Sequence, residues 1–163
     1  INSGNGAVDG GDDKPEPSTI PISTIVTSSG YRYTSKYISN IAVGTDVSNV
    51  KSAIEAVGGN ATVAIFDANG NAKTSGLIAT GDKVSINNQS ETEVLEVIIK
   101  GDTSGDGVIN ALDLLQVQKN ILGTYTLTGA YLEAADTSKD GVVNALDLLQ
   151  VQKNILGTFE IEQ

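Results

Sequence analysis

A duplicated segment near the C-terminus constrains this chain more than any other feature. The segment DTSGDGVINALDLLQVQKNILG begins at Asp102 and the segment DTSKDGVVNALDLLQVQKNILG begins at Asp136, so the period is 136 − 102 = 34 residues. The copies differ at two positions, which are Gly105 against Lys139 and Ile109 against Val143. Two copies are too few for a solenoid, which needs more stacked neighbours. The interpretation therefore depends on the acidic loop that opens each copy.

Each copy opens with oxygen-bearing residues at the spacing of an EF-hand calcium loop. Counted from the first Asp, such a loop has side-chain ligands at positions 1, 3, 5, 9 and 12, a carbonyl ligand at 7 and Gly at 6. The predicted ligands of the first copy are Asp102, Ser104, Asp106, Val108, Asn110 and Asp113. Those of the second copy are Asp136, Ser138, Asp140, Val142, Asn144 and Asp147. We therefore predict two Ca²⁺ ions. Mg²⁺ fits less well because it requires strict octahedral geometry.

Both loops depart from a strong EF-hand at two positions. Position 12 is Asp rather than Glu, and position 3 is Ser, a neutral and weaker ligand. These departures are expected to weaken affinity or to admit a water molecule. The alternative is that DTSGDG is only an acidic turn, but two copies that retain every ligand position argue against it.

The segments around the loops predict an incomplete EF-hand. Residues 94–100 before the first loop are strand-prone, so the entering helix is missing, whereas each loop is followed by a helical pattern. Gly123 and Gly157 are expected to end these helices. Residues 128–135 are expected to form a short linking helix.

Two calcium loops, each followed by one helix and joined by a short helix, resemble a type I dockerin from Gly101 to about Phe159. The resemblance implies an all-α module with two loop–helix calcium repeats that docks onto a cohesin of a scaffoldin. It also implies a secreted protein in an extracellular or cell-surface complex of an anaerobic bacterium, often one that degrades polysaccharides. The near-identical helices imply two symmetry-related binding orientations. Nothing in the resemblance implies catalysis.

The resemblance also indicates which residues contact the cohesin. The family's contact positions, 10, 11, 17 and 18 of each repeat, correspond here to Ala111, Leu112, Gln118 and Lys119, and to Ala145, Leu146, Gln152 and Lys153. Many dockerins carry Ser-Thr at positions 10 and 11, whereas this chain has Ala-Leu. We therefore expect a more apolar contact and a different cohesin specificity.

Each repeat helix carries two apolar stripes. The stripe predicted to enter the core contains Leu114, Val117 and Ile121 with Ile109, and in the second copy Leu148, Val151 and Ile155. The other stripe contains Leu112, Leu115 and Leu122, and in the second copy Leu146, Leu149 and Leu156. So small a domain cannot easily bury both, and exposed apolar surface usually marks an interface. The alternatives are that a three-helix core buries both stripes or that the preceding module covers one.

The remainder of the chain divides into two zones, so that the predicted domains are 1–22, 23–100 and 101–163. Residues 1–22 have the Gly, Asp, Ser and Pro content of a flexible linker. Residues 23–100 predict a small, β-rich α+β or sandwich-like module that resembles the X modules found before dockerins and that stabilises or spaces the dockerin. One helix is expected from Thr45 or Asp46 to Gly58. The expected strand segments are Thr24–Val26, Tyr31–Tyr37, Ala61–Phe66, Lys83–Ile86 and Glu93–Ile99.

Composition limits the other functions. The net charge of −10 argues against a nucleic-acid partner, and the absence of Cys and His excludes disulfides and Zn–His sites. No apolar run is long enough for membrane insertion. No signal peptide is visible at Ile1, so the chain is interpreted as a C-terminal piece of a larger protein. We expect the chain to be a monomer when no partner is bound.

Three other functions fit the sequence less well. A calcium sensor is disfavoured because Met-rich grooves and entering helices are missing. A glycoside hydrolase is disfavoured because the clustered carboxylates serve as ligands. Carbohydrate binding by Tyr31, Tyr33, Tyr37 and Phe66 is disfavoured because these residues fit a core or strand role.

Overall fold

The computed structural model describes residues 19–163, which form an N-terminal α+β unit followed by a helical unit. The predicted linker lies mostly outside these residues. The elements of the N-terminal unit are α1 (Ile22–Ser28), β1 (Arg32–Tyr33), β2 (Tyr37–Ser39), α2 (Val47–Val57), β3 (Thr62–Phe66), β4 (Lys83–Asn87) and β5 (Thr92–Val97). Those of the helical unit are α3 (Ala111–Ile121), α4 (Gly129–Ala135) and α5 (Ala145–Ile155).

The strands form one five-stranded sheet in the order β1-β2-β5-β4-β3. Strands β3, β4 and β5 form an antiparallel meander, whereas β2 pairs in parallel with β5. Side chains of β4 alternate between buried and half-buried, as expected for a strand packed on one face. The α+β prediction agrees with this architecture. The sandwich-like prediction is wrong, because the described residues contain a single sheet.

Helix α1 replaces a predicted strand. Thr24–Val26 was expected to be extended because it is β-branched, but Ile22, Ile25 and Val26 share one helical face and are buried against the sheet. Burial at i, i+3 and i+4 outweighs the weak β preference of these residues.

Helix α2 and the aromatic residues agree with their predictions. The helix spans Val47–Val57, with Asp46 at its N-cap and Gly58 at its C-cap. Tyr31 and Tyr33 are partly buried and pack against the core between helices and sheet. The Tyr33 hydroxyl also donates a hydrogen bond of 2.7 Å to Glu93. These contacts favour a structural role for both tyrosines.

The helical unit is built on contact between α3 and α5. Val117 and Val151, at equivalent positions of the two repeats, are both fully buried and share a cluster with Leu127, Ala135 and Ile161. Both helices and the short helix α4 agree with the predictions. In residues 19–163, no helix is both long and apolar enough to span a membrane.

A third cluster joins the two units. Ile98, at the end of the sheet, packs with Ala130 and Ala134 of α4, and Tyr37 packs against them. The Gly101 N–H donates to the Ala134 carbonyl at 2.8 Å. Strand β5 therefore leads directly into the first acidic loop, and the loop is fixed relative to the sheet.

Candidate calcium loops and docking face

The first loop is organised around the buried carboxylate of Asp102. Its Oδ1 accepts hydrogen bonds from the N–H groups of Gly105 at 2.8 Å and Asp106 at 3.2 Å. Its Oδ2 accepts from the N–H groups of Gly107 at 3.1 Å and Thr80 at 2.9 Å. Burial raises the pKa of the Asp102 carboxyl, and the bonds from the backbone oppose that rise. The position-1 ligand is thus held in one orientation.

Asp113 closes the first loop and starts α3. Its two oxygens accept separate bonds, from the Ser104 N–H at 2.8 Å and the Asn110 N–H at 2.7 Å. The Asn110 side chain accepts from the Leu112 N–H at 2.8 Å and also forms a capping box with Asp113, the third residue of the helix. The position-12 residue therefore joins both arms of the loop to the helix N-terminus.

The second loop repeats this arrangement. Asp136 accepts from the N–H groups of Asp140 at 3.2 Å and Gly141 at 3.0 Å. Asp147 accepts from the Asn144 N–H at 2.8 Å and takes part in the capping box of α5. Two loops of nearly the same sequence thus have nearly the same internal bonding.

The position-5 carboxylates are exposed and make local bonds. Asp106 accepts from the Val108 N–H at 3.0 Å and the Asn110 side chain at 3.0 Å. Asp140 accepts from the Val142 N–H at 2.9 Å. Across residues 19–163, no three acidic side chains gather into a group that could hold a metal ion. In each loop, the position-5 carboxylate would have to rotate to lie beside the buried carboxylates at positions 1 and 12.

The buried carboxylates themselves fit a cation. Asp102, Asp113 and Asp147 are 0% exposed and Asp136 is 8% exposed. The salt bridges found among residues 19–163 both lie in the N-terminal unit, so none of the four is neutralised by a basic side chain. Buried charges are costly unless they are paired or coordinate a metal. Because the available donors are hard oxygens, calcium is the ion they suit.

The second apolar stripe of each repeat helix lies on the surface. Leu112 and Leu115 of α3 and Leu122 at its C-cap are 48%, 43% and 67% exposed, and the equivalent residues of the second repeat are 47%, 42% and 68% exposed. The polar and small residues predicted to contact the partner are also exposed: Ala111, Gln118, Lys119, Ala145, Gln152 and Lys153. Neither the core nor the preceding unit buries this stripe. We call the exposed leucines and these neighbours the docking face.

The predicted core stripe is only partly buried. Val117 and Val151 are fully buried, but Ile121 and Ile155, which were also assigned to the core, are 39% exposed. Each isoleucine is the last residue of its helix, where fewer neighbouring side chains surround it. The core prediction is therefore wrong for these two residues.

A comparison with protein families assigns the helical unit. Residues 100–156 match the model of the Dockerin type I domain. These residues form a type I dockerin module. Dockerin modules bind calcium and cohesins in cellulosome-type extracellular complexes, and they are not catalytic. Among curated proteins, none matches the chain.

Sequence reasoning missed three residues that hold the dockerin loops in place. The Thr80 N–H bonds to the first loop at Asp102. The Lys100 ammonium donates to the Asp136 carbonyl at 2.8 Å, and burial lowers the pKa of Lys100. Gln163 bonds to the Lys100 N–H at 2.7 Å. No motif marks these residues, because each acts through a contact between distant parts of the chain.

Proposed function

We propose that this chain is the docking end of a secreted protein and binds a cohesin on a scaffoldin when two Ca²⁺ ions occupy its loops. Each loop binds one ion through the six ligand positions predicted from the repeat. The docking face supplies the cohesin contacts. Residues 23–100, together with Ile22 at the start of α1, act as an X module that supports the dockerin, the residues before Ile22 act as a linker, and the free chain is a monomer. Its parent protein belongs to an extracellular, polysaccharide-degrading complex of an anaerobic bacterium.

The single observation that carries this proposal is the duplicated exposure of the docking face. Large apolar side chains exposed at equivalent positions of both repeats are costly in water and usually mark an interface. Their exposed fractions in α3 and α5 agree within one percentage point at each of three positions. Because α3 and α5 present equivalent surfaces, the same cohesin can bind with the repeats exchanged. This equivalence supports two binding orientations.

Calorimetric titration against a panel of cohesins tests the proposal. We expect tight binding to at least one cohesin in calcium and loss of binding in excess chelator, because the docking face depends on the folded loops. Binding that is unaffected by the chelator would contradict the calcium requirement. Absence of binding across a broad panel would contradict the cohesin partner.

The two orientations are tested by Leu112→Asp and Leu146→Asp. Each single variant should retain binding, because the other repeat still offers an intact face, whereas the double variant should lose it. Leu132→Asp, at a 40% exposed position of α4 outside the docking face, is the control and should bind normally. Loss of binding in one single variant alone would show that only one orientation is used.

A further inference from the structure

The N-terminal unit packs directly on the first calcium loop, whereas the second loop lies across a cleft from Arg32, Tyr37 and Ser39 of that unit. Segment 77–82, between the Asn69-Gly70 turn and β4, passes over the first loop. Its Thr80 N–H donates to the Asp102 carboxylate at 2.9 Å. A second contact comes from the Gly44 N–H, which donates to the Gly107 carbonyl at 3.2 Å. The carboxylate of Asp136, the equivalent of Asp102, accepts hydrogen bonds from its own loop, and the Asp136 carbonyl accepts from the Lys100 ammonium at 2.8 Å.

Two glycines of the first loop permit this close approach. A Cβ atom at Gly105 would lie 2.8 Å from the Thr80 carbonyl oxygen. A Cβ atom at Gly107 would lie 2.6 Å from the Ile78 carbonyl oxygen. At Gly141, the equivalent of Gly107, a Cβ would meet no atom within 4 Å. The first loop is therefore packed against the N-terminal unit, whereas this part of the second loop faces open space.

The same contact explains one of the two differences between the repeats. The equivalent of Gly105 is Lys139, which is exposed and tolerates a φ of +61°. A lysine at position 105 would collide with segment 77–82. That segment is itself fixed, because Asp82 accepts from the Ala79 N–H at 2.8 Å and pairs with Lys73.

We propose that the N-terminal unit makes the two calcium sites unequal: the first loop binds calcium more tightly and releases it more slowly than the second. This inference rests on the calcium sites of the proposed function. A loop already ordered by its surroundings loses less conformational freedom when it binds an ion. The Thr80 N–H also fixes the position-1 carboxylate, and segment 77–82 covers one route by which the ion leaves.

The expected difference follows from the bond to Asp102. Because this bond holds the loop in one conformation before the ion arrives, it spares the ordering of about one residue on binding, which changes an equilibrium constant about tenfold. We therefore expect the first loop to reach half-saturation at a calcium concentration about tenfold below that of the second. After addition of a chelator, the second loop should lose its ion first.

The double variant Lys139→Gly/Val143→Ile distinguishes the effect of a loop's surroundings on calcium binding from the effect of its sequence. It makes residues 136–157 identical to residues 102–123, so any remaining difference between the loops comes from what contacts them. NMR amide signals of Gly107 and Gly141 in the full-length chain report the occupancy of each loop separately during a calcium titration. The Gly107 signal should still saturate first in this variant.

Each outcome of the titration is decisive. If the Gly107 and Gly141 signals of the double variant reach half-saturation at the same calcium concentration, or if Gly141 saturates earlier, the inference is overturned while both calcium sites remain in place. If neither glycine signal responds to calcium, the sites of the proposed function are rejected, and the inference with them. The reciprocal variant, Gly105→Lys, should weaken calcium binding by the first loop alone. Unchanged NMR signals from β4 and β5 would show that the sheet remains folded. Equal weakening of both loops would also overturn the inference.

Discussion

Asp113 and Asp147, which are predicted calcium ligands, each hold the start of a helix through the same carboxylate. Both oxygens of Asp113 accept backbone N–H groups, and one of these bonds caps α3. A carboxylate offers about four lone-pair sites, so two remain for a cation. The position-12 residue of these loops is therefore a structural residue even before calcium binds.

Asp113→Asn tests this structural function without calcium. One carboxylate oxygen would become an NH₂ group facing an N–H donor, so the free energy of unfolding in excess chelator should fall by about 1–3 kcal/mol. Urea denaturation followed by circular dichroism measures the change. Asp106→Asn, at an exposed position of the same loop, is the control and should change stability by less than about 0.5 kcal/mol. Equal effects of the two variants would contradict the structural function of Asp113.

At the scale of elements, α3 and α5 each bury one apolar stripe and expose the other, which is the proposed docking face. Val117 is fully buried between the helices, whereas Leu122, near the end of the same helix, is 67% exposed. The two residues belong to the two stripes that the repeat predicts. Burial of one stripe stabilises the module, and exposure of the other makes it available to a partner.

Alanine substitutions should separate these two effects. Val117→Ala removes buried methyl groups and should lower the free energy of unfolding by about 2 kcal/mol. Leu122→Ala should change stability by less than about 0.5 kcal/mol, and combining it with Leu156→Ala should weaken cohesin binding, because the single change leaves the face of the other repeat intact. Urea denaturation and calorimetry of these variants measure the two quantities. A large loss of stability in Leu122→Ala would show that the docking face contributes to the core.

The elements that sequence predicts well are those with repeated or strictly periodic signals. Helices α3 and α5 were predictable because, in both copies, the acidic loop and the capping Asn mark where the helix begins and the Gly marks where it ends. Helix α1 was not, because a short β-branched segment fits a strand or a buried helix equally well until its neighbours are known. The exposure of Ile121 likewise depends on where the packing of the helices ends.

At the scale of the whole molecule, three hydrogen bonds that involve side chains, besides the backbone bond from Gly44 to Gly107, connect the calcium loops and their entry at Lys100 to distant parts of the chain. Thr80 reaches the first loop, Lys100 reaches the start of the second, and Gln163 bonds to Lys100. The bonded residues lie 22, 36 and 63 positions apart in sequence. Such contacts could not be predicted from a single sequence, because they depend on how the units pack. They are nevertheless what makes two nearly identical loops different.

The C-terminal tail joins the end of the chain to the junction between the units. Ile161 is 4% exposed and packs in the cluster with Val117 and Val151. The Gln163 side chain accepts from the Lys100 N–H at 2.7 Å and donates to the Lys100 carbonyl at 3.2 Å. The tail therefore closes the dockerin module where the chain enters it.

Ile161→Ala should destabilise the chain by about 2–5 kcal/mol, because it leaves a cavity in the core shared by both repeats. Gln163→Ala should cost about 1–2 kcal/mol through the loss of two hydrogen bonds. Glu162→Ala, at the exposed position between them, is the matched control and should be nearly neutral. Thermal unfolding in calcium, followed by circular dichroism, should give the highest melting temperature for Glu162→Ala, a lower one for Gln163→Ala and the lowest for Ile161→Ala. Each kcal/mol of lost stability should lower the melting temperature by about 2–4 °C. Equal melting temperatures in all three would mean that the tail does not close the module, since a tail detached in solution would contribute neither burial nor hydrogen bonds to the folded state.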